Sequence, residues 1–352
     1  MSDDSQELID DLLAAGFSRQ EVDEAAAAGR LGLLLVERAL AQDDARWTAL
    51  QIAEQSGLEL EFLRRLWRAL GFADAGDDEV VYSDGDLEAA RLTAQFRAGG
   101  LDEHALVLIS QVLGHGMARL ADTLREATAD ALLQAGDSHR TAGLRLAQAA
   151  EHMVPLLTPM LAFVLERHLT EQIRGDVLYD SELASGRVEG SREMTVCFAD
   201  LVGFTRFSEA VEADELTGAG RRLTEAAVDV ARPPVRLVKM IGDAAMLVSP
   251  EPAPLLRAAL DLASAETALP LRVGVASGTV IAHCGDWLGA PVNLASRVTG
   301  AARPGTVLAT RSVRDAARDG FEFSRAGTKR LKGISEPVPL YRVRPVSPPA
   351  PL

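Results

Sequence analysis

The spacing of apolar residues changes once along this chain of 352 residues, and that change limits the folds it can adopt. Up to about residue 180, apolar side chains recur every three or four positions in segments rich in Ala, Leu, Glu and Arg, which predicts amphipathic helices. Beyond residue 193 the period becomes two, and strand-like segments then alternate with helix-like ones. The pattern therefore predicts an all-helical first half and a second half in which helices cover a sheet.

The periodic segments give explicit boundaries. Predicted helices of the first half are 7–15, 21–41, 47–55, 60–70, 86–98, 102–125 and 142–169. Predicted strands of the second half are 194–199, 235–241, 244–248, 271–276 and 306–309, and its predicted helices are 208–230, 253–268, 292–302 and 311–317. The sequence therefore divides into a helical domain (1–180), a polar linker (181–192), an α+β domain (193–345) and a Pro-rich disordered tail (346–352).

Charge is distributed unevenly between the two halves. Residues 1–180 contain 32 acidic and 15 basic residues, a net charge of −17, whereas residues 181–352 contain 19 and 21, a net of +2. An acidic first half repels polyanions, which argues against nucleic acid or an anionic membrane as a partner. The second half can still bind a small anion locally.

The chain shows no pattern of a membrane or disulfide-rich protein. Its longest uncharged apolar stretch, 153–165, has 13 residues and contains Pro155 and Pro159, so it is too short and too broken to span a bilayer. The acidic N-terminus has the wrong charge for a signal peptide, and we expect a cytoplasmic protein. The two cysteines, Cys197 and Cys284, form no disulfide framework, and Cys197 lies in a strand pattern that predicts a buried, unreactive thiol.

Two aspartates close two apolar strands of the second half. Asp200 follows the strand that starts at Met194, and Asp243 follows the strand that starts at Val235 and ends at a Gly-Asp hairpin signal. Taken alone, each is explained better as a turn residue than as a metal ligand. Together, at a strand end and a hairpin tip, they can hold divalent cations, which prefer carboxylate oxygens.

Polar residues at fixed spacing extend this pattern. Lys239 lies inside an apolar strand four residues before Asp243, and Asp286 opens the segment that carries Asn293 and Arg297. Asn293 and Arg297 are four residues apart in a helical pattern, so they share a face. Lys239 and Lys332 are two of only three lysines against 33 arginines, which suggests sites that need a compact ammonium group.

These motifs resemble the catalytic domain of the class III adenylyl cyclases. The segments Phe-Ala-Asp-Leu-Val-Gly-Phe-Thr ending at Thr205 and Lys-Met-Ile-Gly-Asp ending at Asp243 match the two metal-binding motifs of that family. The resemblance covers about residues 190–345 and implies a ferredoxin-like βαββαβ fold. A helical domain ahead of it resembles bacterial members whose N-terminal domain is regulatory and often autoinhibitory.

The resemblance implies a role for each matching residue. Two Mg²⁺ or Mn²⁺ ions would be bound by Asp200, Asp243 and the backbone carbonyl of Leu201, and the triphosphate would approach the backbone of Gly203, Phe204 and Thr205. Lys239 and Asp286 would recognise adenine, and Asn293 would orient the ribose. Arg297 would stabilise the transition state, and Lys332 would contact the triphosphate. Because the family divides these roles between two chains, a homodimer with two shared sites is expected.

Alternative functions remain open at this point. Guanine would require the reverse polarity from Lys239 and Asp286, so ATP is favoured over GTP as the substrate. Residues 49–71 resemble a helix-turn-helix with Gly57 at the turn, which would suit a DNA-binding regulator with a cyclase-like nucleotide sensor domain. A cyclase fold that only binds nucleotide would lack a functional residue, and none is missing.

Regulation by pH is a further hypothesis, because His is the side chain that titrates near neutral pH. Five of the six histidines lie in the helical half: His104, His115, His139, His152 and His168. Their protonation could shift that domain between inhibiting and releasing arrangements. The apolar stretch 153–165 is expected to be packed core, with a groove for a lipid or small-molecule effector as the alternative.

Overall fold

The computed structural model describes residues 3–14, 16–28, 30–40, 45–134, 136–180 and 191–346. It divides the chain into two compact units, Met1–Ala184 and Ser185–Leu352. The described part of the first unit is helical, as predicted. Its helices are α1 (Asp3–Ala14), α2 (Arg19–Ala27), α3 (Leu31–Leu40), α4 (Ala49–Ser56), α5 (Leu60–Leu70), α6 (Asp84–Ala98), α7 (Glu103–Leu132) and α8 (His139–Asp180).

Helices α4 and α5 form the helix-turn-helix pair expected at 49–71. Thr48 caps α4 through a reciprocal capping box, and Gly57 ends that helix with φ 73°, a left-handed conformation that glycine adopts without steric cost. Each arginine of α5 that would face a nucleic acid is ion-paired to an acid of the same unit: Arg64 with Asp74 and Asp77, Arg65 with Glu103, and Arg68 with Glu61. This arrangement gives no support to the DNA-binding alternative.

The expectation that 153–165 packs in a core is wrong for the single chain. These residues lie in α8, which continues through Pro155 and Pro159. Leu156, Phe163 and Leu165 are 68%, 66% and 60% exposed. Among the described helices, none combines the length and the hydropathy that crossing a membrane requires.

The second unit is built on one sheet of eight strands. They are β1 (Ser191–Leu201), β2 (Arg236–Ile241), β3 (Ala244–Ser249), β4 (Leu271–His283), β5 (Asp286–Leu288), β6 (Thr306–Thr310), β7 (Phe321–Lys329) and β8 (Val338–Pro345). The helices between them are α9 (Phe204–Ser208), α10 (Ala213–Val230), α11 (Pro252–Ser264), α12 (Ala290–Ala301) and α13 (Arg311–Ala316). The strand order is β2-β3-β1-β4-β6-β8-β7, and β5 pairs with β4.

Strands β1 to β4 confirm the predicted ferredoxin-like α+β class. The element order from β1 to β4 is strand, helix, strand, strand, helix, strand, and the antiparallel order β4-β1-β3-β2 is the one this motif requires. Among the strands described in 191–346, β4 and β6 form the one parallel pair. The described helical first unit and mixed second unit together match the predicted fold class.

The two faces of the sheet carry different hydrophobic cores, because side chains alternate along each strand. Cys197, Ala199 and Leu201 of β1 pack with α10 and α11. Val196 and Phe198 pack on the opposite face with Trp287 and with Ala295 of α12. Asp200 is two residues after Phe198 on β1, so both side chains lie on the face of the sheet that α12 covers.

Several predicted boundaries in the second unit need correction. Strand β1 begins at Ser191, inside the linker predicted for 181–192; residues 181–190 of that linker and 347–352 of the predicted tail lie outside the described residues. The helix predicted for 208–230 begins later, as α10 at Ala213, and the short helix α9 before it was not predicted. Strand β4 extends seven residues beyond its predicted end, to His283. Strands β5, β7 and β8 were not predicted. They are short, or they carry many exposed polar residues, so a strong period-two pattern is absent.

The burial of Cys197 leads to a first prediction. Its side chain is buried in β1, and burial raises the pKa of its thiol to about 12, whereas Cys284 is exposed. Since the thiolate is the reactive form, a disulfide reagent at pH 8 should label one thiol per folded chain rapidly and the second only after denaturation. The Cys284→Ser variant should show no rapid labelling, and rapid reaction of two thiols in the folded protein would contradict the buried position.

Candidate active site

The β1 and β3 strands bring Asp200 next to the hairpin tip that carries Asp243. Asp200 lies opposite Ala244 in the β1–β3 register, and the backbone N–H of Leu201 donates to the backbone oxygen of Asp243 at 3.1 Å. Gly242 has φ 58° in the two-residue turn between β2 and β3, which suits the predicted Gly-Asp hairpin. The two aspartates are 43 residues apart in sequence and adjacent in the fold.

Asp200 also has a cationic neighbour that the sequence did not reveal. Arg272 lies directly opposite it in the β1–β4 register, and Arg272 Nε donates to Asp200 Oδ2 at 2.7 Å. Burial raises the pKa of the Asp200 carboxyl; Arg272 lowers this pKa, and the carboxylate of Asp243 raises it again. The only sequence signal was a charged residue inside the predicted strand 271–276, and its partner could be found only from the strand register.

The donor set around Asp200 fits divalent cations. Two carboxylates lie close enough for Asp243 to shift the pKa of Asp200, and they are hard oxygen ligands of the kind that Mg²⁺ binds. The described residues contain no cluster of three or more His, Cys, Asp or Glu side chains able to hold a metal. A metal site here would therefore take its remaining ligands from backbone carbonyls, water or substrate phosphates, as Mg²⁺ sites commonly do.

The segment after Asp200 turns sharply at the predicted glycine. Gly203 has φ 82° and precedes the short helix α9, where Phe204 packs against the core and Thr205 is exposed. A Cβ atom at Gly203 would meet nothing within 4 Å, so the left-handed backbone rather than crowding requires glycine.

Lys239 and Asp286 meet although 47 residues separate them in sequence. Lys239 Nζ forms an ion pair with Asp286 Oδ2, and both side chains are 34% exposed. The other carboxylate oxygen of Asp286 accepts from the backbone N–H of Trp287 at 2.8 Å, which fixes the carboxylate orientation. A bulge between Leu237 and Lys239 shifts the β2–β3 register, so Lys239 lies opposite Met246. A donor and an acceptor thus stand side by side.

Helix α12 presents Asn293 and Arg297 away from the sheet. Both side chains are exposed and lie one helical turn apart, while Ala295 and Thr299 face inward. The buried Thr299 hydroxyl contacts the carbonyl of Phe198 at 3.2 Å, which attaches this helix to β1. The arrangement leaves Asn293 and Arg297 free to act on a group outside the sheet.

The lysines near the C-terminus behave differently from one another. Lys332 is exposed in the turn after β7. Lys329 Nζ donates to the carbonyl of Ala301, the last residue of α12, where a cation is favourable. Lys329 therefore contacts the C-terminus of α12. The triphosphate contact of Lys332 stays a prediction.

The contacts of the second unit, residues 191–346, fall into separate groups. Asp200, Asp243 and Arg272 form one group, and Lys239 with Asp286 forms another. Within those residues no hydrogen bond or ion pair joins the two groups or links either to Asn293 or Arg297.

Comparison with known proteins decides the family. The adenylate cyclase regulatory domain family matches residues 2–173, and the adenylate and guanylate cyclase catalytic domain family matches residues 187–344. The pH-sensitive adenylate cyclase MT1302 of Mycobacterium tuberculosis is 41% identical over 349 residues, covering 96% of this chain and 87% of that protein. The chain belongs to the class III adenylate cyclases with an N-terminal regulatory domain. The predicted assignment as an adenylate cyclase enzyme is thereby confirmed.

Two further relatives of this cyclase differ in how much of it they match. An adenylate cyclase of Streptomyces coelicolor is 33% identical over 75% of this chain and 69% of its own length. The uncharacterized protein Rv2212 of Mycobacterium tuberculosis is 32% identical over 93% of this chain and 87% of its own length. The likeness to Rv2212 and MT1302 therefore extends through most of both halves.

The histidines of this cyclase form no cluster in the described part of the first unit. His104, His115, His152 and His168 are exposed on α7 and α8, and the side chain of His139 lies outside the described residues. The regulatory hypothesis stays a prediction.

Proposed function

We propose that this cyclase converts ATP to 3′,5′-cyclic AMP and pyrophosphate at two equivalent sites shared by a homodimer. The observation that carries the choice of substrate is the contact between Lys239 and Asp286. A lysine donor beside a carboxylate acceptor complements the ring nitrogen and the exocyclic amine of adenine. Guanine presents the opposite polarity and would leave both groups unpaired, which is why GTP remains the less favoured alternative.

The cofactors of the proposed reaction are two Mg²⁺ or Mn²⁺ ions, which Asp200, Asp243 and the carbonyl of Leu201 would hold. Bound there, such ions lower the pKa of the ribose 3′-hydroxyl and neutralise charge on the triphosphate. The turn at Gly203, Phe204 and Thr205 lets the backbone approach the phosphates closely.

The exposed face of α12 would complete the reaction centre. Asn293 orients the ribose, and the planar guanidinium of Arg297 donates to oxygens of the α-phosphate as negative charge develops during attack by the 3′-oxygen. Lys332 would contact the triphosphate as a point charge. Each of these side chains is exposed in the single chain and would be accessible to a substrate held on another protomer.

The separation of these groups within one chain supports a shared site. The carboxylates and the helix α12 carry complementary parts of one reaction centre, and residues 191–346 show no direct contact between them. A head-to-tail dimer would place the carboxylates of one protomer opposite α12 of its partner, giving two sites.

The direct test is product formation by the purified chain. With Mg²⁺ or Mn²⁺ present, ATP should give cyclic AMP and pyrophosphate in equal amounts, and chelation of the metal should stop the reaction. An Arg221→Ala variant, changed at an exposed position of α10, should retain wild-type activity. No cyclic AMP from ATP with either metal would refute the proposal.

Base selectivity gives a second prediction. Replacing Lys239 by Glu and Asp286 by Cys reverses the donor and acceptor, so kcat/KM for ATP should fall by about 10² or more. The ratio of ATP to GTP turnover should fall by at least as much, because GTP no longer leaves the pair unsatisfied. Steady-state rates with both nucleotides measure this, and an unchanged ATP preference would show that the pair does not contact the base.

Regulation of this activity by the first unit is also part of the proposal, with pH as the signal. Five histidines lie in that unit, and a relative 41% identical over most of this chain is named a pH-sensitive adenylate cyclase. Cyclic AMP formation by the full chain and by residues 190–352 should differ in pH dependence between pH 5.5 and 8. Identical profiles would remove the pH hypothesis and leave a lipid or other small-molecule effector.

A further inference from the structure

Asp200 has a cationic side chain directly beside it. Arg272 Nε donates to Asp200 Oδ2 at 2.7 Å, and a second guanidinium nitrogen of Arg272 contacts the same oxygen. The Asp200 side chain is 18% exposed and that of Arg272 is 32% exposed, so this pair is shielded better than an ordinary surface ion pair.

The backbone imposes this pairing. Asp200 lies on the central strand β1, where its direct cross-strand neighbours are Ala244 on one side and Arg272 on the other. Side chains directly opposite one another in antiparallel strands have Cβ atoms about 4.5–5.5 Å apart. Any Arg at this position is therefore presented to the carboxylate by the sheet.

Charge balance explains why such a partner is needed. The carboxylate of Asp243 raises the pKa of Asp200, because like charges repel. A bound divalent cation would remove that repulsion. In the described residues, Arg272 is the cation in contact with either carboxylate.

We propose that Arg272 is a positioning residue that takes the place of a metal ion at Asp200, holding the carboxylate in its ligating position until metal displaces the guanidinium. The inference rests on the proposed metal site, where the Arg272 guanidinium would compete with the metal ion for Asp200. Free metal then binds weakly, because each binding event must break two charge-assisted hydrogen bonds of Asp200. The metal-free enzyme in turn remains folded and balanced in charge.

The test measures Mn²⁺ binding to the full chain without nucleotide, from the electron paramagnetic resonance signal of free Mn²⁺. In Arg272→Met the competitor is absent, so the dissociation constant should fall about tenfold, equivalent to about 1.4 kcal/mol. Arg272→Lys keeps the charge and loses the paired contact, so a fall of about threefold is expected. The melting temperature of Arg272→Met should be lower than wild type in EDTA and should rise more when Mn²⁺ is added.

A matched control separates this effect from general loss of an ion pair. Arg145 Nη1 lies 2.7 Å from Asp137 Oδ2 in the first unit, with side-chain exposures of 37% and 14%. Arg145→Met should leave Mn²⁺ binding unchanged.

Two outcomes would overturn the proposal: one removes only the role of Arg272, and the other removes the metal site as well. Unchanged or weaker Mn²⁺ binding in Arg272→Met, or in Arg272→Lys if the Met variant is not folded, would remove the competitor role. If Asp200→Asn abolished Mn²⁺ binding in the same experiment, the metal site would stand. Equal Mn²⁺ binding by wild type and Asp200→Asn would refute the metal site itself, and the role of Arg272 with it.

Discussion

Equal amounts of the inactive variants Asp200→Ala and Arg297→Ala, after subunit exchange, should recover about one quarter of wild-type cyclic AMP formation. Separately, Arg297→Ala should be slower than wild type by about 10²–10³, because it loses a donor to the developing charge. Asp200→Ala should lose at least as much, since a metal ligand is removed. In a heterodimer, one site receives both lesions and the other receives neither.

The expected fraction follows from counting sites. Random exchange makes about half of the dimers heterodimers, and each has one intact site of two. Asp200→Ala mixed with Asp243→Ala is the matched control. Each protomer then lacks one aspartate of its own metal site, so no dimer contains an intact site. Recovery in neither mixture, or equal recovery in both, would contradict sites shared between protomers.

Gly274→Ala should reduce both stability and activity, although Gly274 touches no substrate in the proposed site. A Cβ atom there would lie 2.5 Å from Thr299 Oγ1 and 2.7 Å from the carbonyl oxygen of Ala295, so α12 would be pushed away from β4. Overpacking of this kind destabilises a protein by about 1–3 kcal/mol. The unfolding temperature of the catalytic unit should fall by roughly 2–4 °C for each kcal/mol.

Activity should fall further than stability alone would require. Asn293 and Arg297 lie on the displaced helix, and a shift of about 1 Å in a catalytic group can lower the rate about 10²-fold. Gly300→Ala is the control on the same helix, since its added Cβ would meet nothing within 4 Å. That variant should be as stable as wild type or more stable, because Ala favours the helix. Wild-type melting and kcat for Gly274→Ala would show that this contact does not set the position of α12.

Local patterns in the sequence were sufficient for much of the fold. Short apolar runs ending at Asp200 and Asp243, and the run 244–248 after them, identified β1 to β3. β1 and β3 are buried on both faces, so their apolar residues are nearly continuous. The helical spacing of Asn293 and Arg297 placed both on one face of α12, and both are exposed together. Strands β7 and β8 escaped prediction because β7 is an edge strand with mostly exposed residues and β8 contains Pro339.

The chemistry of the site was only partly visible in the sequence. Lys239 and Asp286 were paired by family resemblance, and their ion pair depends on a register bulge and a hairpin that no local pattern encodes. Arg272 lies within the predicted strand 271–276 and belongs to none of the motifs. Its contact with Asp200 joins positions 72 residues apart, so only strand pairing could reveal it.

By itself, the sequence determined the helical and α+β halves and the family, and it suggested the residues proposed for the reaction centre, because periodicity and short motifs are local properties. Only the tertiary structure showed that Arg272 pairs with Asp200 and that 153–165 is exposed in the single chain. It also showed that α12 packs closely on β4 because Gly274 has no Cβ atom. The physical reason is that charge pairing, close packing and burial depend on which distant segments the sheet and helices bring together.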